Sequence, residues 1–275
     1  MTEAKLYRLT DIERKELQKC LLGIYNDVAA VCDKYNLQLM LGGGSCLGAV
    51  RHQGFIPWDD DLDLIMFRKD YNKLLDVFEH ELADRYDLVE PGKTKNGNKL
   101  FAKIMKKNTS YIEKGTHDKN TPTGIFIDIF PIELLPDHKL NRMLFLFLAN
   151  IFTRTISIIS SYQSDKKTSV LLYHKITGKL TSIISFYNWY KIYELFITSS
   201  KGNTFCTIPS GRKGVYGEVQ PVDTFSPVTN GIFEGVNIRL PNQYDKYLTS
   251  LYGNYMQLPP IEQQNYVHEI IKLEF

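Results

Sequence analysis

Four aspartates fall within five residues in the run Trp58-Asp59-Asp60-Asp61-Leu62-Asp63-Leu64, and the run ends by alternating with leucines that belong in a core. In an extended chain alternate side chains share a face, so Asp61 and Asp63 point one way while Leu62 and Leu64 point the other. Asp59 joins them if the extended conformation reaches back that far. Three like charges side by side repel and destabilise a sheet. A divalent cation removes that objection, since Mg²⁺ prefers carboxylate oxygens and keeps waters or substrate phosphates as further ligands. A solvated acidic loop or an Asx-type turn is the alternative, and the alternation with leucine weighs against it.

A second carboxylate raises the same question. In Gly124-Ile125-Phe126-Ile127-Asp128-Ile129-Phe130 one aspartate interrupts an otherwise apolar predicted strand. An unpaired buried charge costs several kcal/mol, on the order of a domain's whole margin. A cation shared with Asp61 and Asp63, a basic partner or a strand-end position can each account for Asp128, and the shared cation is the reading preferred here. Asp128 or Asp59 is the candidate general base. Ahead of the aspartates, Gly42-Gly43-Gly44-Ser45 joins a predicted strand at 37–41 to a short helix at 45–50. Amides at the start of such a helix can face an anion, and glycine lets backbone approach a phosphate closely.

The rest of the chain supplies a scaffold. Thr10-Asp11-Ile12-Glu13 forms a capping box, after which Leu17, Leu21, Ile24, Val28 and Val31 mark one helix face. A strand at 61–66, an amphipathic helix at 70–82 and strands at 86–89, 100–105 and 124–130 follow, with a flexible basic tip at 92–98. Beyond Pro136 the chain is predicted to be helical and tyrosine-rich from 141 to 200, then to form short strands near Phe233 and Ile238 and a helix at 244–251. The order predicts an α+β fold: a mixed β-sheet core with flanking helices in 1–136, and a helical, aromatic-rich C-terminal half in 137–275, packed as one continuous unit.

A hydrophobic share of 43% fits a folded globular protein, and a net charge of +2 gives no indication of nucleic acid as a partner. Cys20, Cys32, Cys46 and Cys206 form no CxxC pair and read as reduced, mostly buried thiols. The polar segment 1–10 lacks the apolar stretch of a signal peptide, so a cytoplasmic site is expected. Met143 to Phe152 is strongly apolar, bounded by Arg142 and Arg154, and reads as too short to span a bilayer. A buried core helix is one reading. A helix resting on the inner membrane face, arginines toward anionic head groups, is the other.

The stretch from Gly43 to Asp63, GGSCLGAVRHQGFIPWDDDLD, closely resembles the signature of the LicD family, within the nucleotidyltransferase-fold superfamily and related to the fukutin-related proteins. Asp128-Ile129-Phe130-Pro131, Phe233-Glu234-Gly235, and Tyr252-Gly253-Asn254-Tyr255-Met256 with Leu258-Pro259-Pro260 resemble the family as well. Cys46 stands where a Thr or another small residue is expected. Gln264 and Asn265 precede His268 where the family tends to carry a basic residue, and no site role is assigned to that tail. The resemblance implies a nucleotidyltransferase-like core and transfer of phosphocholine, or a related phosphoryl-linked group, from a CDP-linked donor, CDP-choline above all. The acceptor is a hydroxyl of a glycan or lipid-linked glycan, such as a teichoic acid precursor or a lipopolysaccharide sugar, and CMP is released.

In that reading Asp61, Asp63 and Asp128 hold Mg²⁺, with Mn²⁺ as the alternative, and Gly43, Gly44 and Ser45 cradle a phosphate. Arg51, Lys103 and Lys106 are candidates for the remaining phosphate charge, and His52 for a hydrogen bond to phosphate. A choline group would sit among aromatic faces, for which Trp58, Tyr187, Trp189 and Tyr190 are available. The rival readings are a glycosyltransferase using an Asp-x-Asp pair on a nucleotide sugar, a CDP-polyol phosphotransferase, a Ca²⁺-binding module and an inactive scaffold.

Overall fold

The computed structural model describes residues 7–94, 99–114, 122–164 (of 161–164 the backbone alone), 183–264 and 268–275. Parts of the predicted tip at 92–98 and of the predicted helical run at 141–200 therefore lie outside the described residues. The capping box forms as expected: the Glu13 amide donates to Thr10 Oγ1 at 3.2 Å, and the Thr10 amide donates to Glu13 Oε2 at 2.8 Å. It starts helix α1 (Asp11–Lys34), whose buried face includes Leu17, Leu21, Ile24, Val28 and Val31.

The central sheet is mixed, in line with the expected α+β class. Its strands are β1 (Met40–Leu41), β2 (Asp63–Phe67), β3 (Tyr86–Val89), β4 (Ala102–Lys106) and β6 (Phe126–Leu135), in the order β1-β2-β6-β4-β3. β2 and β6 are parallel, whereas the β1–β2, β4–β6 and β3–β4 pairs are antiparallel. Helix α2 (Gly43–His52) joins β1 to the aspartate run, and α3 (Arg68–Glu81) follows β2. On β6, Ile127 and Ile129 are fully buried while Phe126, Asp128 and Phe130 are half-buried, so the open face of the sheet carries the carboxylate.

Strand β6 runs five residues past the expected end at Phe130. Pro131 falls beyond the last β4 pair, Ala102 with Ile129, so its missing N–H costs that ladder nothing. The end of β6 then pairs with β7 (Phe205–Thr207), which pairs with β8 (Gln220–Pro221). Two further ladders lie among the described residues. β9 (Thr229–Phe233) and β10 (Val236–Leu240) form a hairpin, and β11 (Ile270–Glu274) pairs with β5 (Ser110–Glu113). The sequence reading contained neither β5 nor β11.

Beyond β6 come α4 (Lys139–Ser164), α5 (Phe186–Ile197), the single turn α6 (Gly214–Gly217) and α7 (Tyr244–Tyr252). Helices α4 and α5 share a second apolar core with Leu100, Leu135 and Val215, in which the Phe145 and Phe196 rings stack at 4.5 Å. The chain after β7 returns to the first core through Phe225, Phe233, Tyr247, Leu248 and Ile270. All four cysteines are free, three of them buried, as expected.

One ion pair links the sheet to the second core. Glu133 of β6 is 1% exposed and accepts from Arg68 Nε at 3.0 Å. The guanidinium lies over the Tyr71 ring and 4.0 Å from Glu194 of α5. Removing one partner of a buried pair leaves the other charge uncompensated. Glu133→Ala is therefore expected to lower unfolding free energy by about 3 kcal/mol in urea titrations. A loss below about 1 kcal/mol, the range of exposed pairs, would refute this assignment.

Candidate active site

The aspartate run is positioned from both sides. The Gly42 amide donates to the Asp63 carbonyl at 2.9 Å, and the Asp63 amide donates to Ser45 Oγ at 2.8 Å. Residues 53–58, between α2 and the run, are pinned by Glu234, which accepts from the Phe55 amide at 3.0 Å while its own amide donates to the Gln53 carbonyl at 2.9 Å. Gly54 has no room for a Cβ because Glu234 occupies that space. The Phe-Glu-Gly and Gln-Gly-Phe motifs, far apart in sequence, thus form one contact.

The carboxylates gather at the N-terminal end of α2. A Cβ on Gly43 would stand 3.1 Å from Asp63 Oδ2, and one on Gly44 would stand 3.3 Å from Asp59 Oδ2. The glycines leave these oxygens their space at the positive end of the helix dipole. Asp59, Asp60 and Asp61 each offer an oxygen within 4.8 Å of the others. Asp63 opens β2 directly opposite Asp128 of β6.

Burial first and mutual repulsion second hold Asp59 and Asp63 well above the ordinary carboxylate range. Asp61 is pushed up to about 6, chiefly by burial, with His268 opposing. Asp128 is raised by burial against the opposing effect of Lys103, whose ammonium lies 3.0 Å from Asp128 Oδ1. That oxygen is buried and has no well-formed hydrogen bond. The two accounts of Asp128 are therefore not exclusive, for it adjoins Asp63 and is also paired with a lysine. Crowded carboxylates and an under-bonded buried oxygen are a donor set that suits a hard divalent cation.

Asp60 and His268 were not among the predicted site residues. Asp60 is 3% exposed and accepts from the Tyr111 hydroxyl at 3.1 Å and from the His268 amide at 3.1 Å, with His268 Nδ1 at 2.9 Å. The hydrogen bond to Asp60 raises His268 to about 9, and its Nε2 lies 3.9 Å from Asp61 Oδ2. The tail to which the sequence reading assigned no role thus borders the cluster. The available sequence signal was the strand β11, too short and irregular to stand out.

Other expected residues are engaged elsewhere. The Gly43 amide donates to the Tyr247 hydroxyl at 3.2 Å, and Ser45 is 4% exposed. Arg51 donates from Nη1 to the Tyr255 carbonyl at 2.8 Å and from Nε to His52 at 2.9 Å. His52 meets the Trp58 ring edge-on at 6.2 Å. Lys106 lies on the opposite face of β4 from Lys103, lining a cleft of about 750 Å³ with Cys20, Asp27 and Arg85. Tyr190 and Trp189 belong to the second core, whereas Tyr187 is exposed. The aromatic rings on the Asp128 side of the sheet include Phe101, Phe126 and Phe130: Phe101 and Phe130 lie 4.2 Å apart, and Lys103 Nζ sits 3.4 Å from the centre of Phe126.

Between about pH 4 and 6 the folded state holds a proton on Asp61 that the unfolded chain has released, so stability falls as pH rises through that window. His268, raised from 6.5 to about 9, stays charged there, and its contribution is fully present below about 6.5 and is lost as pH rises from there through 9. In chelator, the melting temperature is expected to climb from pH 7 to pH 5, and Asp61→Asn should flatten that climb. A steady fall over this range in differential scanning fluorimetry would contradict the crowding.

The LicD/FKTN/FKRP nucleotidyltransferase domain family matches residues 36–146, which contain the aspartate run, β4 and all of β6. The lipopolysaccharide cholinephosphotransferase LicD of Haemophilus influenzae is 30% identical over 267 residues, covering 92% of this chain and 95% of that protein. Uncharacterized proteins of Rickettsia typhi and Rickettsia prowazekii are 40% and 38% identical over 68 residues, 25% of this chain. An alignment that runs almost end to end in both proteins, with the family domain spanning the carboxylate cluster, makes this chain a member of the LicD family.

Proposed function

We propose that the protein is a transferase that moves phosphocholine from CDP-choline to a hydroxyl of a cell-surface glycan, releasing CMP. The observation that carries this reading is the convergence of Asp59, Asp61 and Asp63 on the start of α2, in a chain matched nearly end to end by a cholinephosphotransferase. Asp61 and Asp63 would hold Mg²⁺ (or Mn²⁺), with Asp59 and Asp128 bordering it. When bound, the ion would neutralise the diphosphate charge that grows as the bridging bond breaks.

The chain's own residues support the remaining steps. The acceptor oxygen attacks the choline-side phosphorus, the bond to the CMP oxygen breaks, and the acceptor proton passes to Asp59 or Asp128. Both carboxyls are raised toward the range that suits a base near neutrality. Lys103 and His268 bring positive charge beside the carboxylates and suit the phosphate oxygens of the donor. Gly44 leaves space for a close backbone approach at the start of α2. The aromatic faces of Phe101, Phe126 and Phe130 suit a quaternary ammonium, and Phe126 already receives the Lys103 ammonium. Cytoplasmic location, with a donor made inside the cell, completes the reading.

Release of CMP from CDP-choline, CDP-ethanolamine and a CDP-polyol, measured with Mg²⁺ and a glycan acceptor, tests this assignment. CDP-choline should turn over fastest, and Asp61→Asn or Asp63→Asn should lower kcat by about a hundredfold or more with the fold intact. Near wild-type turnover in either variant would remove the proposed role of the pair. Preference for a polyol donor would reassign the head group.

A further inference from the structure

Helices α4 and α5 turn one face into their shared core and leave the other to solvent. Ala149, Ile156 and Ile159 of α4 are buried, as are Tyr193 and Ile197 of α5. On the outer side of α4, where a surface helix carries polar residues, stand Leu140, Leu144, Phe147 and Ile151, between 46% and 68% exposed. They recur at spacings of four, three and four and make an apolar stripe about 17 Å long. Tyr187 and Leu195 of α5 add 48% and 70% exposed surfaces.

The rim of this face is positive. Lys139, Arg154 and Lys201 are exposed on or beside these helices, and Lys191 is exposed between Tyr187 and Leu195 with its ammonium over the Tyr187 ring. Among the described residues, 139–160 of α4 contain no acid and α5 contains only Glu194, which lies 4.0 Å from Arg68, while Asp137 precedes α4 and accepts from the Asn203 and Thr204 amides. An apolar stripe with cations at its border matches a bilayer interface, where acyl chains meet anionic head groups. A second copy of the chain would set like charge against like charge across a two-fold axis.

We propose that the α4–α5 face docks in the plane of a lipid surface bearing anionic head groups; this rests on the reading of the acceptor as a lipid-borne glycan. The apolar helix is longer than the segment 143–152 read from the sequence, and Lys139–Ser160 is long and apolar enough to cross a membrane by length and composition alone. Crossing would strip Ala149, Ile156 and Ile159 from their core, whereas interfacial docking keeps that core and covers only what is exposed. Strand β6 feeds α4, and the rise from Asp128 to Leu135 along it is about 23 Å. Docking would therefore hold the carboxylates close above the surface, within reach of sugars attached to a lipid.

Flotation of the full chain with vesicles of phosphatidylcholine, alone or mixed with phosphatidylglycerol, tests the proposal. Wild-type protein should float with the anionic vesicles and be released as salt rises from about 0.1 M to 1 M. Leu144→Gln with Phe147→Gln should weaken partitioning by about tenfold or more. Lys139→Glu with Lys191→Glu should abolish the preference for anionic vesicles. Both double variants should keep wild-type thermal unfolding and CMP release with a soluble acceptor. Failure to float at low salt, or flotation unchanged in both variants, would overturn the proposal. A dimer dissolved by the Leu144 and Phe147 replacements would assign the face to a second copy instead. Flotation that responds as expected while no CDP donor yields CMP would uphold the docking face and refute the catalytic reading.

Discussion

Crowding of half-buried carboxylates at the start of β2 is the constraint that the surrounding elements answer. Asp59, Asp61 and Asp63 repel one another and lie partly out of water, and Asp128 adjoins them on the next strand. Each neighbour lowers that cost in a different way. The glycines at the start of α2 keep Cβ atoms away from the oxygens and turn a helix N-terminus toward them. Lys103 pairs with Asp128, and His268 stands by Asp61 with its charge secured by Asp60. The repulsion that remains is what the proposed cation would relieve.

Topology places these groups together. Because β2 and β6 run parallel and adjacent, Asp63 and Asp128 fall opposite each other although 65 residues separate them in sequence. Antiparallel β4 then brings Lys103 to the same row and Phe101 beside Phe130. The other face of these strands is closed by the core through Ile104, Ile127 and Ile129. Asp128, Lys103 and the Phe126 and Phe130 rings thereby share one side of the sheet, the side proposed to meet the donor.

The second core has a separate logic. It hangs from the end of β6, where Glu133 of β6 pairs with Arg68 of α3, whose guanidinium also lies 4.0 Å from Glu194 of α5. Helices α4 and α5 bury aromatic rings against each other yet leave long apolar side chains outside. The proposed lipid contact and the carboxylate cluster thus sit at opposite ends of one strand, joined by rigid backbone.

Local pattern alone determined the capping box of α1, the face it buries, the position of the aspartate run and the alternation that aims Asp128 with Phe126 and Phe130. These follow from spacing, because helical and strand periods project side chains regardless of what lies beyond. Tertiary structure decided the partners. Lys103 meets Asp128 only because β4 and β6 pair in a particular register, and His268 reaches Asp60 only because β11 joins β5 across more than 150 residues. Arg51 and Ser45, which the sequence offered to phosphate, are instead bonded to the Tyr255 carbonyl and the Asp63 amide. A polar side chain is claimed by whichever donor or acceptor the folded chain brings within about 3 Å, and no local pattern encodes that distance.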